Sequence, residues 1–334
     1  MSVKYRVGVI GGGSWATALV KILCDNESDK LIHWWVRTEE KASYLRENGH
    51  NPDYISSVEF HQSFLHISSD LSEVVLNSDA LILAVPSAFV HDALQILPKS
   101  AFENRSLISA VKGLIPQTGQ ILGEYFETEW NISSSEIGVI TGPCHAEEVA
   151  LERLSYLTIA SENEDLCAEI SGLLRCRYIK TTTTDDIYGT EYSAVLKNIY
   201  AIAAGICHGI GYGDNFLSVL VSNAIREIKR FIAVVHPIDR DIDDSAYLGD
   251  LMVTAYSQFS RNRTFGHMLG KGYSVSSAQL EMNMIAEGYY ATKSIYELNK
   301  QYKVYMPILN FVYAVIYDKK SPRQIVEPFL DELN

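Results

Sequence analysis

The chain has 334 residues, of which 47% are hydrophobic and 21% charged, and carries a net charge of −13. That length favours two domains over one core, and the acidic balance excludes a general nucleic-acid binder, which presents basic surface. No apolar run reads as long enough to span a bilayer, and the N-terminus enters a strand without a signal peptide. Cys24, Cys144, Cys167, Cys176 and Cys207 are scattered and odd in number. They form neither a zinc spacing nor a disulfide framework, so reduced thiols in a cytoplasmic protein are expected. An acidic chain that binds an anion must also gather a few identifiable cations into one pocket.

The first half alternates short apolar runs with helical stretches. Strands are predicted at Tyr5–Ile10, Leu31–Val36, Ala80–Val85, Ser106–Val111, Gly138–Thr141, Ser155–Ala160 and Tyr178–Thr182. Several are continuously apolar, as strands covered on both faces are. Helices fit between them, at Trp15–Cys24 and Ala88–Leu97 among others. This rhythm predicts an α/β fold, a Rossmann-like doubly wound sheet. The polar run Thr181–Asp186 marks a change, and beyond it the pattern is helical: Tyr192–Gly205, Phe216–Val235, Ser245–Tyr256, Ile285–Gln301 and Pro307–Tyr317. Ser321-Pro322 reads as an N-cap with proline in the first turn. The expected organisation is a dinucleotide-binding domain over residues 1–187 and an all-helical, substrate-binding C-terminal domain over 188–334.

Gly11-Gly12-Gly13-Ser14-Trp15-Ala16 follows the first strand and opens a helix. Gly11 permits the tight turn, Gly13 admits a pyrophosphate, and Ala16 lets helix and strand pack closely. Amides at the helix start favour an anion. The second strand ends at Arg37, where an NAD-selective site usually carries an acidic residue. An arginine there suits a 2′-phosphate, which favours NADP(H) while leaving NAD(H) possible; Glu39 and Glu40 pull the other way, and a solvated surface arginine is the alternative.

Lys197 and Asn198 interrupt a helix apolar nearly all round. A buried ammonium needs a partner or a lowered pKa, and such a lysine can exchange protons near neutral pH. Otherwise it snorkels to solvent. Polar groups also gather at Val111-Lys112-Gly113-Leu114, at Thr141–Glu148, at Gly249-Asp250 and at Ser260–Arg263. Arg261 or Arg263 could grip a phosphate. The nine histidines include no metalloprotease pair, and no metal is expected.

In this order, GGGSWATAL (11–19), AVPS (84–87), VKGL (111–114), TGPCHAEEVA (141–150), LKNIYAIAAGI (196–206), GYGDN (211–215), GDLMVT (249–254), SRNRTFG (260–266) and AEGYYATK (286–293) resemble the NAD(P)-dependent glycerol-3-phosphate dehydrogenase family, its bacterial branch in particular. The resemblance covers nearly the whole chain. It implies reversible hydride transfer between NAD(P)H and dihydroxyacetone phosphate, giving sn-glycerol 3-phosphate for glycerophospholipid synthesis, by a cytoplasmic homodimer. It further implies cofactor contacts from Ser14, Trp15, Arg37, Lys112, Ala146, Arg261, Ile285 and Glu287, with the nicotinamide near Pro86. Substrate contacts are implied for Lys112, Gly142, Cys144, Lys197, Asp250, Ser260, Arg261 and Asn262, with Lys197 catalytic. Three positions depart from the pattern: Ala16 where glycine is usual, Cys144 for serine, and His208 where aspartate is common. Lys112 should lower the pKa of Lys197 and Asp250 should raise it; which prevails is open at this stage. A hydroxyacid or sugar-acid dehydrogenase of the same architecture, and a non-catalytic NADPH sensor, are the rival readings.

Overall fold

Four apolar residues, Ala80 to Leu83, are all buried and form the centre of the main sheet. The computed structural model describes residues 5–60, 64–282 and 286–333. Eight strands form one sheet: β1 (Tyr5–Ile10), β2 (Lys30–Trp35), β3 (Leu65–Ser68), β4 (Ala80–Leu83), β5 (Ser106–Ser109), β6 (Ile137–Thr141), β7 (Ser155–Ala160) and β8 (Ile179–Thr184). Their spatial order is β3-β2-β1-β4-β5-β6-β7-β8. All neighbours are parallel except β6 and β7. The first six strands thus have the order of a doubly wound dinucleotide fold, whose direction reverses between β1 and β4. Ligands in such sheets bind beyond the carboxyl ends at that reversal, where Gly11 and Ala84 follow their strands.

The chain divides into two compact units, Met1–Val111 with Leu122–Ile187, and Lys112–Ile121 with Tyr188–Asn334. The short excursion Lys112–Ile121 joins the helical unit through Leu114 and Ile121, both in its core. A turn at Gly119 (φ 74°) and the bond from Ile115 N to Gln120 O at 2.8 Å close that excursion.

The helical unit is organised on Ile187–Ile210, of 24 residues. The sequence reading found no span-length apolar segment; this helix corrects it, being long and apolar enough to cross a membrane by length and composition. Its apolar window is 89% buried, and Leu196, Ile199, Ile202 and Ile206 supply the unit's core. It meets the helix Arg261–Gly270 backbone to backbone. A Cβ on Gly205 would lie 2.1 Å from Arg263 O, and one on Gly266 would lie 2.1 Å from Ile202 O. Gly209 and Gly270 repeat the contact one turn on. Glu227, fully buried, accepts the amides of Ile308 and Leu309 at 3.0 Å and the Tyr200 hydroxyl at 3.3 Å, fixing the first turn of Pro307–Ile316 to this core.

Some elements differ from their sequence reading. The strand read at Tyr178–Thr182 is β8, which runs on to Thr184 as an edge strand whose β-branched threonines fit a half-exposed pleat. β3 escaped notice because four residues with an exposed His66 carry little periodicity. The helix read at Ala88–Leu97 is only Val90–Leu94 after a 3₁₀ turn. The polar cluster Ser260–Arg263 opens a helix, Arg261–Gly270, missed because its small, polar sequence buries glycine faces instead of aliphatic ones.

The glycine contacts generate a prediction. Gly266→Ala should cost about 2 kcal/mol or more of unfolding free energy, since backbone must move. Gly172→Ala, exposed in Glu164–Leu174 with nothing within 4 Å of its Cβ, should instead stabilise by about 0.5 kcal/mol. Urea unfolding of the two variants checks both signs.

Candidate functional site

In the first unit, the turn after β1 is shaped by lack of room. A Cβ on Gly11 (φ 142°) would lie 2.7 Å from Ala84 O, so only glycine turns here. Gly13 is different: nothing lies within 4 Å of its Cβ position, leaving the approach to the helix open. Gly13 is also the N-cap of Ser14–Asp25 and places no side-chain cap on the first turn. A helix start with an open approach fits a pyrophosphate. Ser14 is buried and Trp15 half-buried in that turn.

Arg37 is exposed beyond the end of β2. Its acidic neighbour Glu39 is already engaged, accepting from Ser69 Oγ at 2.7 Å and from Ser43 Oγ at 3.2 Å, and pairing with Arg46. Those bonds hold the Glu39 carboxyl below its usual range, the Ser69 bond most. Pro86 follows β4 and starts the 3₁₀ turn Ser87–Phe89. Gly142 (φ 108°), Cys144 and Ala146 follow β6. A Cβ on Gly142 would crowd Tyr156 O at 3.0 Å, so the conformation there also demands glycine.

In the second unit, Lys197 is buried at 3% exposure and forms an ion pair with Asp250 Oδ1. It does not snorkel. Asp250 heads the helix Asp250–Tyr256 directly after a π-helical turn, Ser245–Gly249, where the sequence suggested one continuous helix. Such a turn re-aims side chains and recurs at functional sites. Asp250 Oδ2 is buried and has no hydrogen-bond partner among the described residues. Burial lowers the pKa of Lys197 most; Asp250 raises it and Lys112 lowers it again, and the outcome is about 8. The competition left open by the sequence is therefore decided by burial, with Lys112 on its side.

Lys112, Arg261 and Lys197 all act on one carboxylate, Glu287. Glu287 is half-buried, but its Oε2 is sheltered and lacks a hydrogen-bond partner among the described residues. Burial pushes this carboxyl up to about 7 against the pull of the three cations. Neutral amides join the same elements. Asn198 Nδ2 donates to Lys112 O at 3.0 Å, Asn262 Nδ2 donates to Asn198 Oδ1 at 2.9 Å, and Gly288 N donates to Asn262 Oδ1 at 2.9 Å. A Cβ on Gly288 would come within 2.6 Å of Asn198 O, so glycine permits this approach.

The residues predicted from sequence thus fall into two groups. Gly11, Gly13, Ser14, Trp15, Arg37, Pro86, Gly142, Cys144 and Ala146 belong to the first unit. Lys112, Lys197, Asp250, Ser260, Arg261, Asn262 and Glu287 belong to the second. Ser260 is an N-cap, its Oγ accepting Arg263 N at 3.3 Å. Ile285 lies outside the described residues. Asn198 was noticed in the sequence but given no role; only its two bonded neighbours reveal one.

Two family models match the chain. The N-terminal model of NAD-dependent glycerol-3-phosphate dehydrogenase covers residues 6–167, and the C-terminal model covers 186–327. The chain is 33% identical over 326 residues to the glycerol-3-phosphate dehydrogenase (NAD(P)+) of Bacillus pumilus, spanning 97% of this chain and 94% of that one. It is 33% identical over 325 residues to the enzyme of the same name from Clostridium botulinum, spanning 97% of each. Among solved structures, glycerol-3-phosphate dehydrogenase from Coxiella burnetii matches with a TM-score of 0.91 at 27% identity, over 98% of this chain and 99% of that one.

The buried pair can be tested directly. Asp250→Asn removes the partner that raises the Lys197 pKa while burial and Lys112 remain. The Lys197 ¹⁵Nζ titration, assigned by its loss in Lys197→Met, should then move from about 8 to a lower midpoint; an unchanged midpoint would show that the pair does not govern the amine.

Proposed function

Because the chain belongs to the NAD-dependent glycerol-3-phosphate dehydrogenase family, we propose that it catalyses reversible hydride transfer between NAD(P)H and dihydroxyacetone phosphate, giving sn-glycerol 3-phosphate. The observation that carries this reading is the buried Lys197, paired with Asp250 and held to a pKa of about 8. A rival sensor without chemistry has no use for an ammonium placed at that cost.

When bound, the nicotinamide supplies or accepts the hydride. Gly11 to Ser14 would hold the pyrophosphate and Arg37 the 2′-phosphate, so NADP(H) is the preferred cofactor and NAD(H) the alternative. Trp15, Pro86 and Ala146 would border the cofactor in the same unit, and the family resemblance supports a cofactor contact for Glu287. Arg261 and Asn262 would hold the substrate phosphate, and Lys112 would neutralise charge on both ligands. Gly142, Cys144 and Ser260 would border the substrate. Asp250 Oδ2, which has no partner among the described residues, would accept a substrate hydroxyl.

During reduction, negative charge grows on the carbonyl oxygen, and the Lys197 ammonium would stabilise it and deliver its proton there. The neutral amine left behind regains a proton from water. In oxidation the neutral amine would take the alcohol proton. A pKa of about 8 leaves both forms of Lys197 populated near neutrality, as a reversible acid and base needs. The family resemblance supports a cytoplasmic homodimer that feeds glycerophospholipid synthesis.

Lys197→Ala should lower kcat by about 10² to 10⁴ while NADPH still binds, as read by nucleotide fluorescence. In the unmutated protein, kcat/KM for dihydroxyacetone phosphate should fall as pH rises through about 8, because the proton donor is lost; oxidation should show the opposite limb. Turnover near the unmutated level in Lys197→Ala would remove the amine from the reaction.

Arg37→Ala should raise KM for NADPH by about 10-fold, equivalent to about 1.4 kcal/mol, and leave KM for NADH within about twofold. Steady-state assays with each nucleotide separate this from a general loss of cofactor binding, which would shift both equally.

A further inference from the structure

All three glycine carbonyls of the turn after β1 are held by side chains from different elements. Trp34 Nε1 donates to Gly11 O at 2.6 Å. Asn51 Nδ2 donates to Gly12 O at 3.1 Å. Thr17 Oγ1 donates to Gly13 O at 3.0 Å. The second hydrogen of Asn51 Nδ2 goes to Thr17 Oγ1 at 2.9 Å. That hydroxyl therefore accepts from Asn51 and donates to Gly13, a consistent relay. Asn51 Oδ1 meanwhile accepts the amides of Asp53 at 3.1 Å and Tyr54 at 3.3 Å. The side-chain amide has used two donors and two acceptor sites, which fixes its orientation. Trp34, Thr17 and Asn51 are all buried.

This matters because a trans peptide is planar and its C=O and N–H point in opposite directions. The oxygens of Gly11, Gly12 and Gly13 share peptide planes with the N–H groups of Gly12, Gly13 and Ser14. Holding each oxygen inward aims the following amide outward. Nothing lies within 4 Å of the Cβ position of Gly13, the N-cap of a twelve-residue helix with no side-chain cap, so a ligand has room to approach this turn. Gly13 O also accepts Thr17 N at 2.9 Å, but without the side-chain bonds the Gly11 and Gly12 peptides can rotate at little cost, and the entropy of reordering them falls on ligand binding.

We propose that Asn51 is a positioning residue for the dinucleotide: through Gly12 and Thr17 it pre-sets the peptide planes that receive the pyrophosphate. This rests on the reading that the dinucleotide binds at this turn. Asn51 lies in a loop, Asn51-Pro52-Asp53-Tyr54, outside the glycine motif itself, so the motif alone does not reveal it. Its effect should be blind to the 2′-phosphate, because the pyrophosphate is common to NADPH and NADH.

The test uses the full chain. Asn51→Ala should raise KM for NADPH and for NADH by similar factors, about 10-fold, with kcat at saturating nucleotide within about twofold. Asn51→Asp retains the acceptor for the Asp53 and Tyr54 amides but loses both donors; it should give the same pattern and serves if the alanine variant does not fold. Thr17→Val should reproduce part of the rise, and Thr17→Ser, which keeps the relay hydroxyl, should restore KM to near the unmutated value. A folded Asn51→Asp with unchanged KM for both nucleotides overturns the proposal, as does a lower Tm or lower kcat without any change in KM. Gly13→Val separates the two claims. If it abolishes nucleotide binding while Asn51→Asp leaves KM unchanged, only the positioning role fails. If Gly13→Val leaves binding intact, the dinucleotide does not sit at this turn and both fail.

Discussion

An ammonium buried in an apolar helix is the constraint around which the second unit is arranged. Lys197 is held on the Ile187–Ile210 helix, paired with Asp250 and opposed by Lys112. Removing an ion from water is expensive, and the pair offsets this only if both partners are held in register. The surroundings supply that register. A π-helical turn delivers Asp250 at its end, and the central helix is fixed against Arg261–Gly270 by contacts so close that four glycines are needed. The same contacts bring Arg261 and Asn262 to the amine's helix, so packing and charge placement are one problem with one solution.

The first unit solves a different problem with the opposite means. The proposed pyrophosphate site at the glycine turn needs no buried charge, because peptide dipoles would hold the anion. What is needed is direction, and neutral side chains provide it. Trp34, Asn51 and Thr17 restrain peptides that glycine would otherwise leave free. Of the two acidic neighbours of Arg37, Glu39 is occupied by Ser69 and Arg46.

How much was legible follows from the kind of signal each feature sends. Buried parallel strands announce themselves by unbroken apolar runs, and the glycine turn by its place after one of them. Lys197 stood out because a single charge in an apolar helix is conspicuous. Asn51 sent no such signal: a polar residue beside proline in a loop reads as ordinary turn chemistry, and its value comes from four bonds with distant or folded-back partners. The excursion Lys112–Ile121 was illegible for a related reason. It follows β5 in the chain, yet Leu114 and Ile121 anchor it in the helical unit's core, a choice made by packing that no local pattern encodes. Polarity misled at Ser260–Arg263, read as a polar cluster where a glycine-faced helix begins that needs little aliphatic surface.

His208, which occupies a place where the family resemblance leads one to expect aspartate, finds its account in the same helix contact. Its Nδ1 meets the Nδ1 of His267 at 2.9 Å, just beyond the paired glycines. Two such nitrogens can share a hydrogen bond only if one ring is a neutral acceptor. His267 accordingly has a lowered pKa, through burial first and then His208, Lys271 and Arg263. His208 and Lys197 lie on the same central helix. Eleven residues separate them along the chain, about 16 Å at the helical rise, beyond the screening distance of exposed charge at physiological salt. That separation lets the helix end tolerate an unusual residue while the proton balance at Lys197 is set by Asp250, Lys112 and burial alone.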